Sequence, residues 1–195
     1  MSNIYHLKVQ LAHIAKPPVW REILVEADTN LYLLHCCIQG AMGWFNSHLH
    51  QFIIGGQFYG IPHPDFGDDL EDARKVSLKK VLKKPKDTIQ YEYDFGDDWL
   101  HVISLVDIVS AEAGKKYPLL LKGKGACPPE DCGGSYGYES LKDIVKNPKH
   151  EEYEEMTDWL GDDFDPNEFD LAEHQTAMVE SYKEGVLNKG KELLG

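Results

Sequence analysis

Residues 88–109 read T-I-Q-Y-E-Y-D-F-G-D-D-W-L-H-V-I-S-L-V-D-I-V, and this stretch decides what kind of fold the chain builds. Two runs rich in β-branched and aromatic residues, 88–94 and 99–109, are separated by F-G-D-D, whose composition is that of a tight turn. They read as a hairpin. Side chains alternate along a strand, so His101 shares a face with Trp99 and Ile103.

Working outward toward the N-terminus, S-L-K-K-V-L at 77–82 reads as a short helix capped by Ser77 and stopped before Pro85. Residues 61–72, rich in Pro, Gly and Asp, read as an exposed loop. Ahead of them, 47–54 has the pattern of a strand, and Gly55-Gly56 turns it into a second, 57–60. Residues 31–42, L-Y-L-L-H-C-C-I-Q-G-A-M, carry apolar side chains at helical spacing and on nearly every side, which predicts a helix buried against a sheet. Asp28, Thr29 or Asn30 can cap it, and Gly43 can end it. Residues 4–14 alternate, with Tyr5, Leu7, Val9 and Leu11 on one face; Pro17-Pro18 breaks this strand and 19–25 reads as its hairpin partner.

Toward the C-terminus, 117–121 can add an edge strand. The chain then enters K-G-A-C-P-P-E-D-C-G-G-S-Y-G-Y at 124–138. Two prolines fix the backbone between Cys127 and Cys132, and Gly133-Gly134 frees it again, so the loop presents its side chains in a defined shape. Helical spacing follows at 138–146, at 150–160 and from about 170 to 187. The fold class is therefore α+β, a largely antiparallel β-sheet with one early buried helix and a C-terminal group of helices packed on it. A single domain is expected over 1–175, with 176–195 the end of the last helix and a fraying tail.

Composition narrows the function. A hydrophobic fraction of 42% with four Trp and ten Tyr suffices for a packed core. No apolar run approaches the ~20 residues of a membrane span, and the opening residues lack the apolar segment of a secretory signal, so a cytoplasmic protein is expected. Four cysteines in that setting mean buried thiols or a metal site more readily than disulfides, and Cys36-Cys37 read as core. The net charge is −13; from Cys127 onward eighteen acidic residues face six basic ones. This argues against direct nucleic-acid binding, which needs a basic face, and the lysines at 79, 80, 83, 84 and 86 read as a solvated helix face. The acidic C-terminal helices, with Glu151, Glu152, Glu154 and Glu155, are a solvated face or a docking surface for a basic protein partner.

Two constellations carry possible chemistry. In a strand over 47–54, His48 and His50 point the same way, and an H-x-H pair can seat one metal with nitrogens about 2.0–2.1 Å from zinc. With His101 on a neighbouring strand and thiolates from Cys127 and Cys132, the candidate zinc ligands are His48, His50, His101, Cys127 and Cys132. Asp94 or Asp97 would orient His101 through a hydrogen bond. Against this, C-x₄-C lies at the edge of zinc spacing, and a stiffened structural loop is the plainer alternative. The second constellation gathers Asp94, Asp97 and Asp98 from the hairpin turn with Glu130 and Asp131 from the cysteine loop, carboxylates that could hold Mg²⁺ but that turns also favour. No nucleophile signature or phosphate-binding loop is present.

The segments V-W-R-E-I-L-V, H-L-H-Q-F-I-I, Y-E-Y-D-F-G-D-D-W-L-H, G-A-C-P-P-E-D-C-G-G, G-Y-E-S-L, H-E-E-Y-E-E-M-T-D-W-L and F-D-P-N-E-F-D, in this order across 5–175, resemble the plasmid pRiA ORF-three-like family. The resemblance implies a compact α+β domain carried by plasmids, mobile elements and chromosomes. Some members bear the label of TnpR-like passengers of insertion sequences. A serine recombinase needs a nucleophilic serine within an arginine cluster, and this chain has only Arg21 and Arg74, so that activity is not implied. The expected function is an accessory or binding module, mobile-element associated, with a metal-dependent hydrolase or nuclease at the His/Cys/Asp pocket as the alternative.

Overall fold

The structure is a computed structural model that describes residues 3–62, 70–161 and 164–188. Eight strands form one sheet: β1 (Asn3–Leu11), β2 (Trp20–Glu26), β3 (His50–Ile54), β4 (Gln57–Gly60), β5 (Leu70–Asp72), β6 (Thr88–Tyr93), β7 (Trp99–Ser110) and β8 (Leu119–Lys124). Their order is β5-β4-β3-β6-β7-β1-β2-β8. Every neighbouring pair is antiparallel except β4 and β5, which run parallel. The expected hairpin is its centre, with Tyr93 opposite Trp99 and Tyr91 opposite His101. The helices are α1 (Leu31–Met42), α2 (Leu78–Val81), α3 (Gly134–Ile144), α4 (Tyr153–Leu160) and α5 (Leu171–Asn188). The fold is α+β, as the alternating and helical patterns imply.

The sheet is buried on one face. Tyr5, Leu7, Val9 and Leu11 of β1 are buried together with Tyr91 and Tyr93 of β6 and with Trp99, His101, Ile103 and Leu105 of β7. On the other, partly exposed face polar groups pair: His6 Nε2 lies 2.7 Å from Glu22 Oε2, and Gln51 Nε2 donates to Glu92 Oε2 at 2.6 Å. All twelve residues of α1 are buried, which is why its sequence is apolar on every side. Asn30 caps it, its side chain accepting from Leu33 N, and Gly43 ends it in the left-handed conformation.

Helix α5 closes over α1. A Cβ on Gly40 would lie 2.5 Å from the Ala177 carbonyl oxygen, so the two helices approach through bare backbone at that point. Gln175 of α5 also reaches the margin of the sheet, where its Oε1 accepts from Leu120 N of β8 at 2.6 Å. The domain boundary expected at 175 falls inside α5. The exposed loop expected over 61–72 ends in β5, and 63–69 and the tail beyond 188 lie outside the described residues.

A polar network crosses the core. His35 Nε2 donates to Asn46 Oδ1 at 2.8 Å, which leaves Nδ1 to accept from the Tyr91 hydroxyl at 2.8 Å; Gln39 Nε2 donates to the same hydroxyl at 3.0 Å. Burial holds the His35 pKa down at about 3.

Candidate metal centre

His48 precedes β3 rather than lying in it, because the strand starts at His50 and Asn46 takes a left-handed turn (φ 58) just before. Strand alternation therefore does not apply across 48–50, and the two imidazoles part. The His50 ring stacks on His35 with centroids 3.5 Å apart and planes 5° from parallel, and burial keeps it neutral. The His48 ring stands edge-on to Tyr93, 5.8 Å between centroids, and presents Nε2 to the acidic groups of two turns. Its distances are 3.7 Å to Asp94 Oδ2, 3.7 Å to Glu130 Oε2 and 3.3 Å to Asp131 Oδ1.

His101 faces the core. Its Nδ1 bonds the Trp99 carbonyl at 2.8 Å, its ring lies edge-on to Trp44, and burial lowers its pKa to about 4. Asp94 and Asp97 have other partners. Asp94 Oδ1 accepts from Gly96 N at 2.9 Å, and Asp97 Oδ2 accepts from Gly133 N at 3.3 Å. Cys127 and Cys132 are partly buried free thiols, and burial raises both pKa values, that of Cys132 to about 12. Among the described residues, no three of the five expected to share zinc bring ligand atoms within 4.8 Å of one another. Among the described residues the group that converges within 4.8 Å is His48, Asp94 and Asp131. One ligand of the first constellation has joined the carboxylates of the second.

This centre is preset by anchoring one oxygen of each inner carboxylate and leaving the other toward His48. Glu130 Oε1 accepts from the Tyr93 hydroxyl and from Phe45 N, both at 2.8 Å, while Asp94 Oδ1 is held by its own turn. Of these two carboxylates, the oxygens turned to His48 Nε2 are the remaining Asp94 Oδ2 and Glu130 Oε2, each at 3.7 Å, while Asp131 Oδ1 is nearer at 3.3 Å. Asp94 and Asp131 both sit at positive φ (59° each), a conformation that acidic residues tolerate better than most side chains and that often marks functional turns. Asp94 is buried and Asp131 is exposed, so the cluster opens to solvent on one side.

The cysteine loop serves as a structural arm carrying Glu130 and Asp131. Trp44 Nε1 donates to the Pro128 carbonyl at 2.9 Å, the Tyr138 hydroxyl donates to the Ala126 carbonyl at 3.0 Å, and Ala126 N donates to the Pro166 carbonyl at 3.0 Å. Sequence reasoning missed Tyr93, Trp44 and the Phe45 amide as the groups that fix the arm. Tyr93 was accessible from its place on the buried face of β6; the backbone amide had no signal.

Gly134 brings the arm against the hairpin turn. Its φ is 66°, and a Cβ there would lie 2.5 Å from the Asp97 carbonyl oxygen. Gly134→Ala is expected to cost about 1–2 kcal/mol through the left-handed backbone alone. The clash with Asp97 adds to that by forcing the two turns apart. Urea denaturation measures it, and a midpoint equal to that of the parent protein would show that the close approach is not a constraint.

A single open sheet, helical on one face, with a histidine–carboxylate centre where its central hairpin meets a stiff loop, defines a small α+β protein with a polar rim site. The chain belongs to the plasmid pRiA4b ORF-3-like protein family, whose family model matches residues 3–173. It is 38% identical over 162 residues to the uncharacterized protein y4hQ of Sinorhizobium fredii, covering 83% of this chain and 82% of that one. The crystal structure of MM3350 from Methanosarcina mazei Go1, a protein of unknown function, superposes with a TM-score of 0.80 at 37% identity. That likeness covers 88% of this chain and 97% of the other. No helix among the described residues is long and apolar enough to cross a membrane.

Proposed function

We propose that this protein is a cation-dependent binding module of its family, holding a divalent transition metal between His48, Asp94 and Asp131 with Glu130 alongside. The observation that carries the reading is the convergence of one imidazole nitrogen and carboxylate oxygens within 4.8 Å. Two supporting features are the anchored second oxygens of Asp94 and Glu130. Nitrogen and oxygen donors without thiolate suit Zn²⁺ or Mn²⁺. A cation there would tie the hairpin turn to the cysteine loop. The relatives, whose functions are unknown, lend no support to the alternative of a metal-dependent hydrolase or nuclease. Association with mobile elements, an accessory role and a cytoplasmic setting remain part of the proposal.

Calorimetric titration of chelator-free protein with Zn²⁺ and with Mn²⁺ tests it. One site per chain is expected, and Asp94→Asn and His48→Ala should each weaken it at least ten-fold, while Glu112→Gln, far from the cluster, should leave it unchanged. Absence of saturable binding, or affinity in Asp94→Asn and His48→Ala unchanged from the parent protein, would end the metal reading.

A further inference from the structure

Beside the cation cluster the surface opens into a groove of about 740 Å³ between the end of α1, the cysteine loop, the end of α4 and the start of α5. That volume lies within the range of ligand-binding clefts, roughly 300–1,000 Å³, and exceeds what one side chain fills. Its walls combine two chemistries. Phe45, Trp159 and Phe164 line it, and Phe45 and Trp159 are 84% and 49% exposed, so they present aromatic surface that the fold itself does not cover. Its carboxylates are Glu130, Asp131, Asp165, Glu168, Asp170 and Glu173. No lysine or arginine lines it. Among the described residues, no lysine or arginine lies within ion-pair distance of those six carboxylates.

From this charge pattern we infer that the groove is a docking site for a basic segment of a partner protein, an extended stretch in which lysine or arginine alternates with apolar residues. Guanidinium and ammonium groups would pair with Glu168, Asp170 and Glu173 along one wall. Aromatic faces attract the same cations. The alkyl stems of those side chains would cover Phe45 and Trp159. An acidic segment or a nucleic acid would meet like charge throughout. Long-range attraction also speeds encounter, so binding should be fast and salt-dependent.

The inference does not depend on the cation reading, because the groove extends well beyond Glu130 and Asp131. Fluorescence anisotropy with a labelled lysine- and arginine-rich peptide, in the presence of chelator, tests it alone. Saturable one-to-one binding is expected, weakening steeply with salt. Glu168→Gln combined with Glu173→Gln, both surface changes, should weaken it at least ten-fold, and Trp159→Ala several-fold, with Glu112→Gln as an unaffected control. Three results would overturn the proposal: no saturable binding at low salt, equal affinity in the Glu168→Gln/Glu173→Gln variant, or equal binding of a glutamate-rich peptide. A fourth is concentration-dependent self-association abolished by Lys79→Glu and Lys83→Glu, which would make the occupant a second copy of this chain.

Discussion

Lowering the pH from 7 to 4.5 is expected to remove roughly 5 kcal/mol of stability, enough to unfold a domain whose total lies in the usual range of about 5–15 kcal/mol. The cause is His35 and His101, both fully buried and neutral. Burial holds their folded pKa values at about 3 and about 4. In the unfolded chain each returns to the ordinary value near 6.5. Between these values the unfolded state binds protons that the folded state refuses, so stability is complete above about pH 6.5 and falls as the pH drops toward 4. These two groups alone give a slope of about 2.7 kcal/mol per pH unit, and His50, likewise held neutral by burial, steepens it. Hydrogen bonds offset only part of the burial cost: Asn46 favours a proton on His35 and backbone groups favour one on His101, while the nearby Arg21 charge opposes it. Denaturant midpoints followed by tryptophan fluorescence across pH 7.5–4.5 measure the slope. His101→Phe should flatten it even if it also lowers stability at neutral pH. A midpoint constant across that range would show that both rings accept protons in the folded state.

The second large effect is expected at Gly40. Alanine in place of glycine within a helix ordinarily stabilises by about 1 kcal/mol. Here the added methyl would stand 2.5 Å from the Ala177 carbonyl oxygen and 2.6 Å from Met178 Cα, both backbone atoms that cannot turn aside. Helix α5 must move as a body, uncovering Met178, which is fully buried. Overpacking costs about 1–3 kcal/mol, and against unyielding backbone the upper end applies, so the sign reverses and a net loss of about 2 kcal/mol is expected for Gly40→Ala. At Gly185 the obstructing atoms are the side chains of Cys36 and Leu33, which can shift, so Gly185→Ala should cost less. Thermal melts of the two variants, with limited proteolysis of α5, establish the order. Equal melting temperatures for Gly40→Ala and the parent would mean that the helices are not in backbone contact.

Strand alternation in 88–109 and in 4–14 was enough to give the centre of the sheet, because both strands bury one face and leave the other wet. The all-round apolar character of 31–42 likewise gave a buried helix, and Gly43 its end. Boundaries were less visible, since they depend on where pairing partners stop. Helix α3 runs from Gly134 to Ile144, starting ahead of the apolar spacing at 138–146, and β8 extends to Lys124 because β2 pairs with it that far. The site shows the same limit. Residue types singled it out, in that a histidine before β3, an acidic hairpin turn and an acidic loop all stood out. Which of them meet was decided by a strand starting three residues later than alternation suggests, and by left-handed turns at Asn46, Asp94 and Asp131. Local sequence does not encode such register details; they follow from the contacts each turn makes with the rest of the molecule.

The hold that Gln175 keeps on Leu120 has a consequence for how the protein would fail. The two ends of an open sheet are where one polypeptide can stitch itself to the next. At one end β5 is only three residues long, too short to serve as a template. At the other, one amide that a foreign chain could seize, that of Leu120, is already occupied from α5. A protease nick just ahead of α5 would therefore do more than loosen a helix. It would bare a docking rail for copies of the same molecule, and the damaged product would be expected to grow into fibrils.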